Sequence, residues 1–535
     1  MRTVRDSSFD VLRRLGGTTF FSNPGSTEIA LLTDLPADLH FVLALHEGSV
    51  VGMATGWAIA NEQPAVVILH TTAGLGNAVG ALATARVNRA PLVVIVGQQD
   101  RRHLALTPFL TGHRLDELAG DYPVWVNEPA RPQDVPGALA RAWHEATEHR
   151  GPAIVIVPMD DWLAPADEYD TVATPARVFS AASAGAAAAD EIAAFLADAR
   201  SPALVVGAGT DDRESWDALQ ALAERLNCPV WQEAFGARAG YPQDHSLFAG
   251  HLPSGRSELR KALAEHDVIL AIGAPVFRQY PYEDGPLVEP GTRIVVLTDD
   301  PDEANGGPAD LAVVGTPAAV CSALLERVSA RPTAADRDVT VLDRPSPPTG
   351  DEQMQPAQVF AALADRTARN TVIVEESPSS RPLLQALLPA REPLGFLSAA
   401  MGGLGFGLPA AVGVKMAQPD RPVVAILGDG STMYAVQALW SAAKYGVGVL
   451  IVVMANGRYA IMDQLAKRYG DSTPDGLGSA PWPAFDGISI SQLADGLGCP
   501  ARVVTSYGDL VQVLDEVIPT LPSRREPLVL EIKVQ

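Results

Sequence analysis

The chain has 535 residues, 47% of them hydrophobic, which is enough for roughly three or four domains with buried cores. A formal net charge of −23 argues against nucleic acid or an anionic membrane as a partner, and no apolar run is long enough to span a bilayer. Three cysteines without metal spacing, and an N-terminus without the apolar core of a signal peptide, predict a cytoplasmic protein that lacks disulfide bonds.

Strand-like apolar runs alternate with Ala-rich helical stretches, which predicts an α/β fold of doubly wound parallel sheets. Residues 164–190 have few large apolar side chains and residues 330–356 are rich in proline and charge, so we interpret both as linkers. The predicted domains are therefore 1–165, 185–330 and 355–535. The shorter predicted strands are Ala153–Val157, Ala203–Val206, Val268–Ile272 and Arg293–Leu297.

Three predicted strands of the first domain end at polar residues. They are Thr19–Ser22 before Asn-Pro-Gly-Ser-Thr at 23–27, Phe41–Leu45 before His46-Glu47-Gly48, and Ala65–Leu69 before His70. If these strands are parallel neighbours, Ser26, Glu47 and His70 meet at the carboxyl edge of one sheet. Each residue also has a simpler interpretation: a turn or cap for Ser26, a helix cap for Glu47 and a core histidine for His70.

The third domain carries a second polar edge. Asp429, in the sequence GDGS, follows the predicted strand Pro422–Leu427, and Asn456 follows the predicted strand Val447–Ala455. Their side chains offer the oxygen ligands that suit Mg²⁺, an ion that proteins commonly share with substrate phosphates. The glycines on either side of Asp429 permit close approach of a phosphate, and a helix is expected to start near Tyr434. Two ordinary turns are the alternative interpretation.

The ordered motifs along the chain extend over nearly its full length. They are NPGST at 23–27, LHEGSVVGMATG at 45–56, LHTTAGLGNAVGAL at 69–82, GQQ at 97–99, GAPVFR at 273–278, GGLGFGLPAAVG at 402–413 and GDGS at 428–431. This set resembles the pyruvate-decarboxylase-type thiamine diphosphate (ThDP) enzymes, and among them the benzoylformate decarboxylases. The resemblance implies pyrimidine-binding, central Rossmann-like and diphosphate-binding domains. It also implies active sites between the subunits of a homodimer or homotetramer.

The resemblance implies roles for individual residues. Glu47 would hydrogen-bond to N1′ of the aminopyrimidine, the carbonyl of Gly402 would accept from the 4′-amino group, and Leu404 would support the bent cofactor. As an alternative, Leu404 is simply a buried leucine. The implied ligands of Mg²⁺, for which Ca²⁺ can substitute, are Asp429, Asn456 and the carbonyl of Arg458. The other implied cofactor contacts are Ser377, Ser379, Gly428, Gly430, Ser431 and Tyr459.

The resemblance assigns substrate binding and proton transfer to Ser26 and His70. It also predicts a second active-site histidine shortly after GAPVFR, where Tyr280 is the nearest match. A tyrosine, with a reference pKa of about 10, is a poor acid–base group at neutral pH. His113 is a candidate substitute, and a solvated loop histidine is its alternative interpretation.

An apolar substrate pocket is expected after the Asn456-Gly457 signal. Its expected lining is Leu110, Ile461, Met462 and Leu465, with Met401 and Met433 narrowing the space near the cofactor. The segment 463–487 is interpreted either as a mobile cover or as a surface loop.

The sequence thus predicts a ThDP- and Mg²⁺-dependent decarboxylase that converts an apolar or aromatic, benzoylformate-like 2-oxo acid to an aldehyde and carbon dioxide. Two alternatives remain. One is a carboligase that forms or cleaves 2-hydroxy ketones, as acetolactate synthases do, and the other is a cofactor-binding protein with little turnover. Acetolactate synthases often bind FAD in the central domain. The short glycine motifs at 207–209 and 251–255 are weak evidence for a nucleotide there.

Overall fold

The computed structural model describes residues 2–167, 185–332, 344–349, 352–470 and 481–535. It contains three six-stranded sheets in which all paired strands run parallel, and this confirms the predicted α/β class. The linker residues 168–184, 333–343 and 350–351, and residues 471–480 of the predicted cover segment, lie outside the described residues. None of the described helices combines the length and apolar character that a membrane crossing requires.

The first sheet has the strand order β2-β1-β3-β4-β6-β5. Its strands are β1 Thr19–Asn23, β2 His40–Leu43, β3 Ala65–Leu69, β4 Leu92–Gln98, β5 Trp125–Asn127 and β6 Pro152–Pro158. Its helices are α1 Val4–Leu15, α2 Ile29–Leu32, α3 Glu47–Asn61, α4 Thr71–Val87, α5 Leu115–Leu118 and α6 Val135–His149. The chain winds away in opposite directions from β1 and β3, so their carboxyl ends flank the crevice where such sheets bind ligands.

The central sheet has the strand order β12-β11-β10-β7-β8-β9. Its strands are β7 Pro202–Val206, β8 Val230–Gln232, β9 Phe248–His251, β10 Val268–Ile272, β11 Arg293–Thr298 and β12 Leu311–Val314. Its helices are α7 Gly185–Ala197, α8 Arg213–Leu226, α9 Arg256–Ala262, α10 Pro301–Asn305 and α11 Pro317–Leu325. The corresponding crevice lies between β7 and β10.

The third sheet has the strand order β14-β13-β15-β16-β18-β17. Its strands are β13 Val372–Glu376, β14 Phe396–Ser398, β15 Val423–Gly428, β16 Leu450–Ala455, β17 Ala501–Val504 and β18 Leu528–Lys533. Its helices are α12 Pro356–Ala364, α13 Arg381–Leu387, α14 Gly407–Ala417, α15 Asp429–Met433, α16 Ala438–Lys444, α17 Ala460–Gly470, α18 Ile490–Gly496 and α19 Tyr507–Val517. Here the crevice lies between the carboxyl ends of β13 and β15. Asp429, which directly follows β15, therefore lies at the rim of this crevice.

Helices α3 and α14 join the first and third domains. A methyl group added at Gly56 would lie 2.1 Å from the carbonyl oxygen of Ala410, and one added at Gly413 would lie 1.9 Å from that of Met53. Only glycine therefore permits the two helix backbones to approach so closely. The apolar core is continuous across this contact, so the first and third domains of one chain share a single buried cluster.

Two of the predicted element boundaries near the polar strand ends were wrong in ways that bear on the site. The helix expected near Tyr434 begins at Asp429 and ends before Tyr434, which places the helix amino end directly at the GDGS motif. Strand β2 ends at Leu43 instead of Leu45, because the third domain satisfies the backbone there: Leu43 N donates to Tyr445 Oη at 2.7 Å, and Ser441 Oγ donates to the Leu43 carbonyl at 3.0 Å.

Candidate active site

Glu47 is the first residue of helix α3, and its side chain is held between two asparagines. Asn23 Nδ2 donates to Oε1 and Asn77 Nδ2 donates to Oε2, each at 3.1 Å. Asn23 ends β1 and Asn77 lies in α4, so three elements converge on one carboxylate that is only 8% exposed. Because each oxygen accepts one bond, the carboxylate is fixed in orientation and can still accept another donor.

His70, directly after β3, belongs to a second buried polar cluster. Its Nδ1 lies 3.1 Å from Glu28 Oε2 and 2.9 Å from Thr27 Oγ1. Thr27 Oγ1 also donates to Glu28 Oε1, so the carboxylate is the acceptor for both neighbours. A methyl group at Gly25 would lie 2.4 Å from the imidazole ring, and one at Gly97 would lie 1.8 Å from Glu28. Both glycines are therefore required for this close packing.

The structure places the remaining first-domain candidates at the surface. Ser26 is exposed, and so is His113 in the loop after β4. The side chains of Gln98 and Gln99 anchor that loop: Gln98 bonds to the N–H and the carbonyl of Gly112, and Gln99 Nε2 donates to the carbonyl of Phe109. Leu110 is half-buried in the same loop. The motif GQQ thus presents the loop at the carboxyl edge of the sheet.

Asp429 and Asn456 directly follow strands β15 and β16, as predicted, and the structure shows that these two strands are neighbours. The Asp429 carboxylate accepts from the N–H groups of Gly430 and Gly457, each at 2.8 Å. Asn456 Oδ1 accepts from Arg458 N at 3.1 Å. Burial raises the pKa of Asp429 above its ordinary value, while the two backbone N–H groups act in the opposite direction. A nearby cation would therefore offset the cost of burying this charge.

A cavity of about 480 Å³ opens beside Asp429. Its lining includes Ser377, Ser379, Leu404, Gly428, Asp429, Gly430, Ser431, Met433, Asn456, Arg458, Tyr459 and Ile461. The wall is tight at Gly430, where a methyl group would lie 2.8 Å from the ring of Phe485. Nearly all the predicted cofactor and metal residues therefore surround one space.

The Ser377 hydroxyl already bonds to a neighbouring carboxylate within the chain. Ser377 is buried, and both its N–H and its Oγ donate to Glu375 Oε1. Arg381 Nε lies 2.7 Å from the other oxygen of Glu375. Ser379 is half-buried, and its carbonyl accepts from Gln464 at 3.4 Å. Glu375 therefore controls the orientation of the Ser377 hydroxyl.

A larger cavity of about 1490 Å³ lies between the central and third domains. Tyr280, Met401, Gly402, Leu404, Ile461 and Leu465 are among its lining residues, whereas Met462 lies outside both linings. Leu404 and Ile461 line both cavities, so the two spaces meet there. Tyr280 is 56% exposed and is positioned by a backbone bond from its N–H to the carbonyl of Ser254.

No described residue of the first domain lines either cavity. Within one chain, the Glu47 and His70 clusters thus lie apart from the space beside Asp429. The site that the sequence predicted as one unit is divided between two surfaces of the described chain.

The residues beside Asp429 fit a hard cation shared with a phosphorylated ligand. Among the described residues, no group of three or more His, Cys, Asp and Glu side chains is placed to hold a metal. One carboxylate, one amide oxygen and a backbone carbonyl at Arg458 are too few for an all-protein site. They suit Mg²⁺, which keeps oxygen ligands from water and phosphate.

Models of the thiamine pyrophosphate enzymes match three segments: the N-terminal TPP binding domain at 2–119, the central domain at 189–324 and the C-terminal TPP binding domain at 380–532. A benzoylformate decarboxylase of Pseudomonas aeruginosa is 36% identical, covering 100% of this chain and 99% of the relative. The chain belongs to the thiamine pyrophosphate enzyme family. The family resemblance inferred from the motifs is thereby confirmed.

A solved structure and a more distant sequence relative agree with this membership. The 4-hydroxybenzoylformate decarboxylase of Rhodococcus jostii superimposes with a TM-score of 0.93 at 33% identity, covering 100% of this chain and 99% of that one. An acetolactate synthase large subunit of Parasynechococcus marenigrum is 28% identical, covering 96% of this chain and 85% of the relative.

Four of the polar residues in these clusters were missed from the sequence: Asn23, Thr27, Glu28 and Asn77. All four lie within or next to the quoted motifs NPGST and LHTTAGLGNAVGAL, so a signal was present. Their side chains matter through contacts with residues far along the chain, such as Glu28 with His70. Motif membership alone does not show which neighbour a side chain meets.

Proposed function

We propose that this chain is a ThDP- and Mg²⁺-dependent decarboxylase of an apolar or aromatic 2-oxo acid. Benzoylformate-like acids are the first candidate substrates. The observation that carries the proposal is the full-length relationship to a benzoylformate decarboxylase. The net reaction converts R-CO-COO⁻ and one proton to R-CHO and carbon dioxide. Bound ThDP would supply the electron sink for the pair of electrons released when the carboxylate leaves.

The residues of the smaller cavity would hold the cofactor. Asp429, Asn456 and the carbonyl of Arg458 would coordinate Mg²⁺ together with diphosphate oxygens. Helix α15 starts at Asp429, so its amino end would face the same negative charge. Leu404 and the carbonyl of Gly402 would contact the cofactor where the two cavities meet.

Glu47 and His70 would control proton transfer at the cofactor and at the substrate. The Glu47 carboxylate would bind N1′ of the aminopyrimidine, and its two asparagine partners would keep it aimed there. Glu28 accepts from Nδ1 of His70, and this leaves Nε2 as the nitrogen that we assign to proton transfer at the substrate. Ser26, exposed at the same edge, is proposed to bind the substrate carboxylate.

We propose that a second copy of the chain completes each site. The support is that no described residue of the first domain lines the cavity beside Asp429 or the larger cavity that meets it. Coexpression of Glu47→Gln and Asp429→Asn chains tests this. In hybrid dimers one site would receive both intact residues, so about a quarter of the wild-type activity should return. A site built within one chain would regain none, because every site would then carry one substitution.

The decisive assay for the reaction incubates the protein with ThDP, Mg²⁺ and benzoylformate and follows carbon dioxide and benzaldehyde. Glu47→Gln should lower the rate by about 10²-fold or more, since a general acid–base group contributes on that scale. Glu62→Gln, an exposed carboxylate at the other end of α3, is the matched control and should keep the wild-type rate. Absence of turnover with the cofactor bound would contradict the decarboxylase proposal.

The second candidate function is carboligation, and Tyr280 is the observation that favours it. This residue is the nearest match in sequence to the expected histidine, and it lines the larger cavity. A weaker proton donor would slow aldehyde release and leave time for reaction with a second aldehyde to give a 2-hydroxy ketone. The ratio of 2-hydroxy ketone to benzaldehyde, measured with an added acceptor aldehyde, separates the two functions.

We propose that the central domain binds no flavin. At the crevice between β7 and β10, Gly209 N donates to the carbonyl of Gly273 at 2.9 Å, so the two backbones are in contact. The buried Glu233 carboxylate lies beside the same turn, 2.4 Å from where a methyl group at Gly207 would stand. A phosphate would meet closed backbone and a buried carboxyl group there. Protein incubated with FAD and desalted should show no flavin absorbance.

A further inference from the structure

The segment between β14 and α14, residues 399–406, carries Gly402 and Leu404 and is held at its far end by Glu376. The Glu376 carboxylate accepts from Gly405 N at 2.8 Å, from Phe406 N at 2.8 Å and from Gly407 N at 2.5 Å. Glu376 is the last residue of β13 and is 3% exposed. The carboxyl end of β13 therefore fixes the start of helix α14.

A second side chain holds the near end of the segment. Asn88, which caps the end of α4 in the first domain, is fully buried. Its Nδ2 donates to the carbonyl of Ser398 at 2.9 Å, and its Oδ1 accepts from Ala400 N at 2.9 Å. Residues 401–404 are thus suspended between two buried polar anchors.

The suspended residues 401–404 face the cavities. Met401 and Gly402 are exposed, and Leu404 lines both cavities. Gly402 has a φ of +75°, a backbone conformation that strongly favours glycine. A displacement of either anchor would therefore move the residues that meet in the space next to Asp429.

Glu376 also lines the larger cavity, which is the position that a proton donor to the substrate would need. Burial raises its pKa to about 7. However, its two oxygens accept three N–H bonds, and protonation would convert these charge-assisted bonds into weaker neutral ones. This geometry favours a carboxylate that holds the backbone over an acid that delivers a proton.

We propose that Glu376 is a positioning residue that acts through the segment 401–404, and in particular through Leu404, on the shape of the bound cofactor. The contact between Leu404 and the cofactor rests on the proposed function, whereas the anchoring of the segment by Glu376 does not. Three charge-assisted bonds from one carboxylate tie three consecutive amides to β13, which lies 29 to 31 residues earlier in the chain.

The test compares Glu376→Gln with Glu375→Gln. Both remove one buried carboxylate at the end of β13, but Glu375 bonds to Ser377 and not to the segment. In Glu376→Gln, hydrogen exchange of the amides at 405–407 in the cofactor-free protein should accelerate by about tenfold or more, because charge-assisted bonds are lost. Glu375→Gln should leave exchange at 405–407 unchanged.

A double-mutant cycle with Leu404→Ala separates positioning from general support of the fold. If Glu376 acts through Leu404, Glu376→Gln should lower kcat and ThDP affinity in the wild-type background and much less in the Leu404→Ala background. Full additivity, or equal acceleration of exchange across all of α14 and the segment, would overturn the proposal. If wild-type protein bound no ThDP, the proposed function would fail while the exchange experiment still tested the anchor.

Discussion

His70 Nδ1 lies 3.1 Å from the carboxylate of Glu28, although 42 residues separate them in the chain. The bond orients the imidazole and directs the other ring nitrogen away from Glu28. We expect Glu28→Gln to lower kcat by about tenfold, because the ring loses its charged partner, and His70→Ala to lower it by about 10²-fold or more. Steady-state decarboxylation assays measure both effects. Glu148→Gln, an exposed carboxylate on α6, should change neither kcat nor KM.

Removal of the metal should abolish activity. Dialysis against EDTA should leave the protein folded and inactive, and addition of Mg²⁺ or Ca²⁺ with ThDP should restore turnover, because both are hard cations that accept oxygen ligands. Asp429→Asn should resist restoration, since the only carboxylate among the proposed ligands is lost. Asp420→Asn, an exposed acid of the same domain, should respond like wild type. Full activity after exhaustive chelation would contradict the metal proposal.

Glu233 should make stability depend on pH. Burial raises its pKa to about 8, and its Oε2 has no hydrogen-bond partner among the described residues. Between the ordinary pKa of about 4.5 and this value, the folded state holds a proton that the unfolded state releases. The stability that this proton contributes is therefore fully present below that window. It falls as pH rises through the window, by up to about 1.4 kcal/mol per pH unit.

Glu233→Gln removes this titration and should flatten the dependence. Thermal melting of both proteins at pH 5 and pH 8.5 measures it. The melting temperature of the variant minus that of wild type should be more positive at pH 8.5 than at pH 5. Equal differences at the two pH values would show that Glu233 does not titrate in this range.

Tyr280 should determine how efficiently product is protonated. Replacing it with histidine introduces a group that titrates near neutral pH, so Tyr280→His should raise benzaldehyde release by about tenfold or more relative to ketone formation. Tyr282→His is the matched control: Tyr282 is 76% exposed and lies outside the lining of the larger cavity. An identical product ratio in wild type and Tyr280→His would show that another group delivers the proton.

The parallel architecture was predictable because it depends on local patterns. Apolar runs such as Ala65–Leu69 became β3 without change, since a fully buried parallel strand needs a continuous apolar sequence. For the same reason, Asp429 and Asn456 were expected directly after two buried strands, and these strands pair in the sheet. The error at Tyr434 arose because the helix begins inside the GDGS motif itself, where two glycines give no helical signal.

The sequence alone determined the α/β class, the family and the polar residues at each strand end, because these follow from short-range periodicity and from ordered motifs. Only the tertiary structure decided which polar groups meet: Asn23 and Asn77 with Glu47, Glu28 with His70, and Glu376 with the amides before α14. The physical reason is that each bond joins elements tens of residues apart. Their distance depends on strand order and helix packing, which no local pattern encodes.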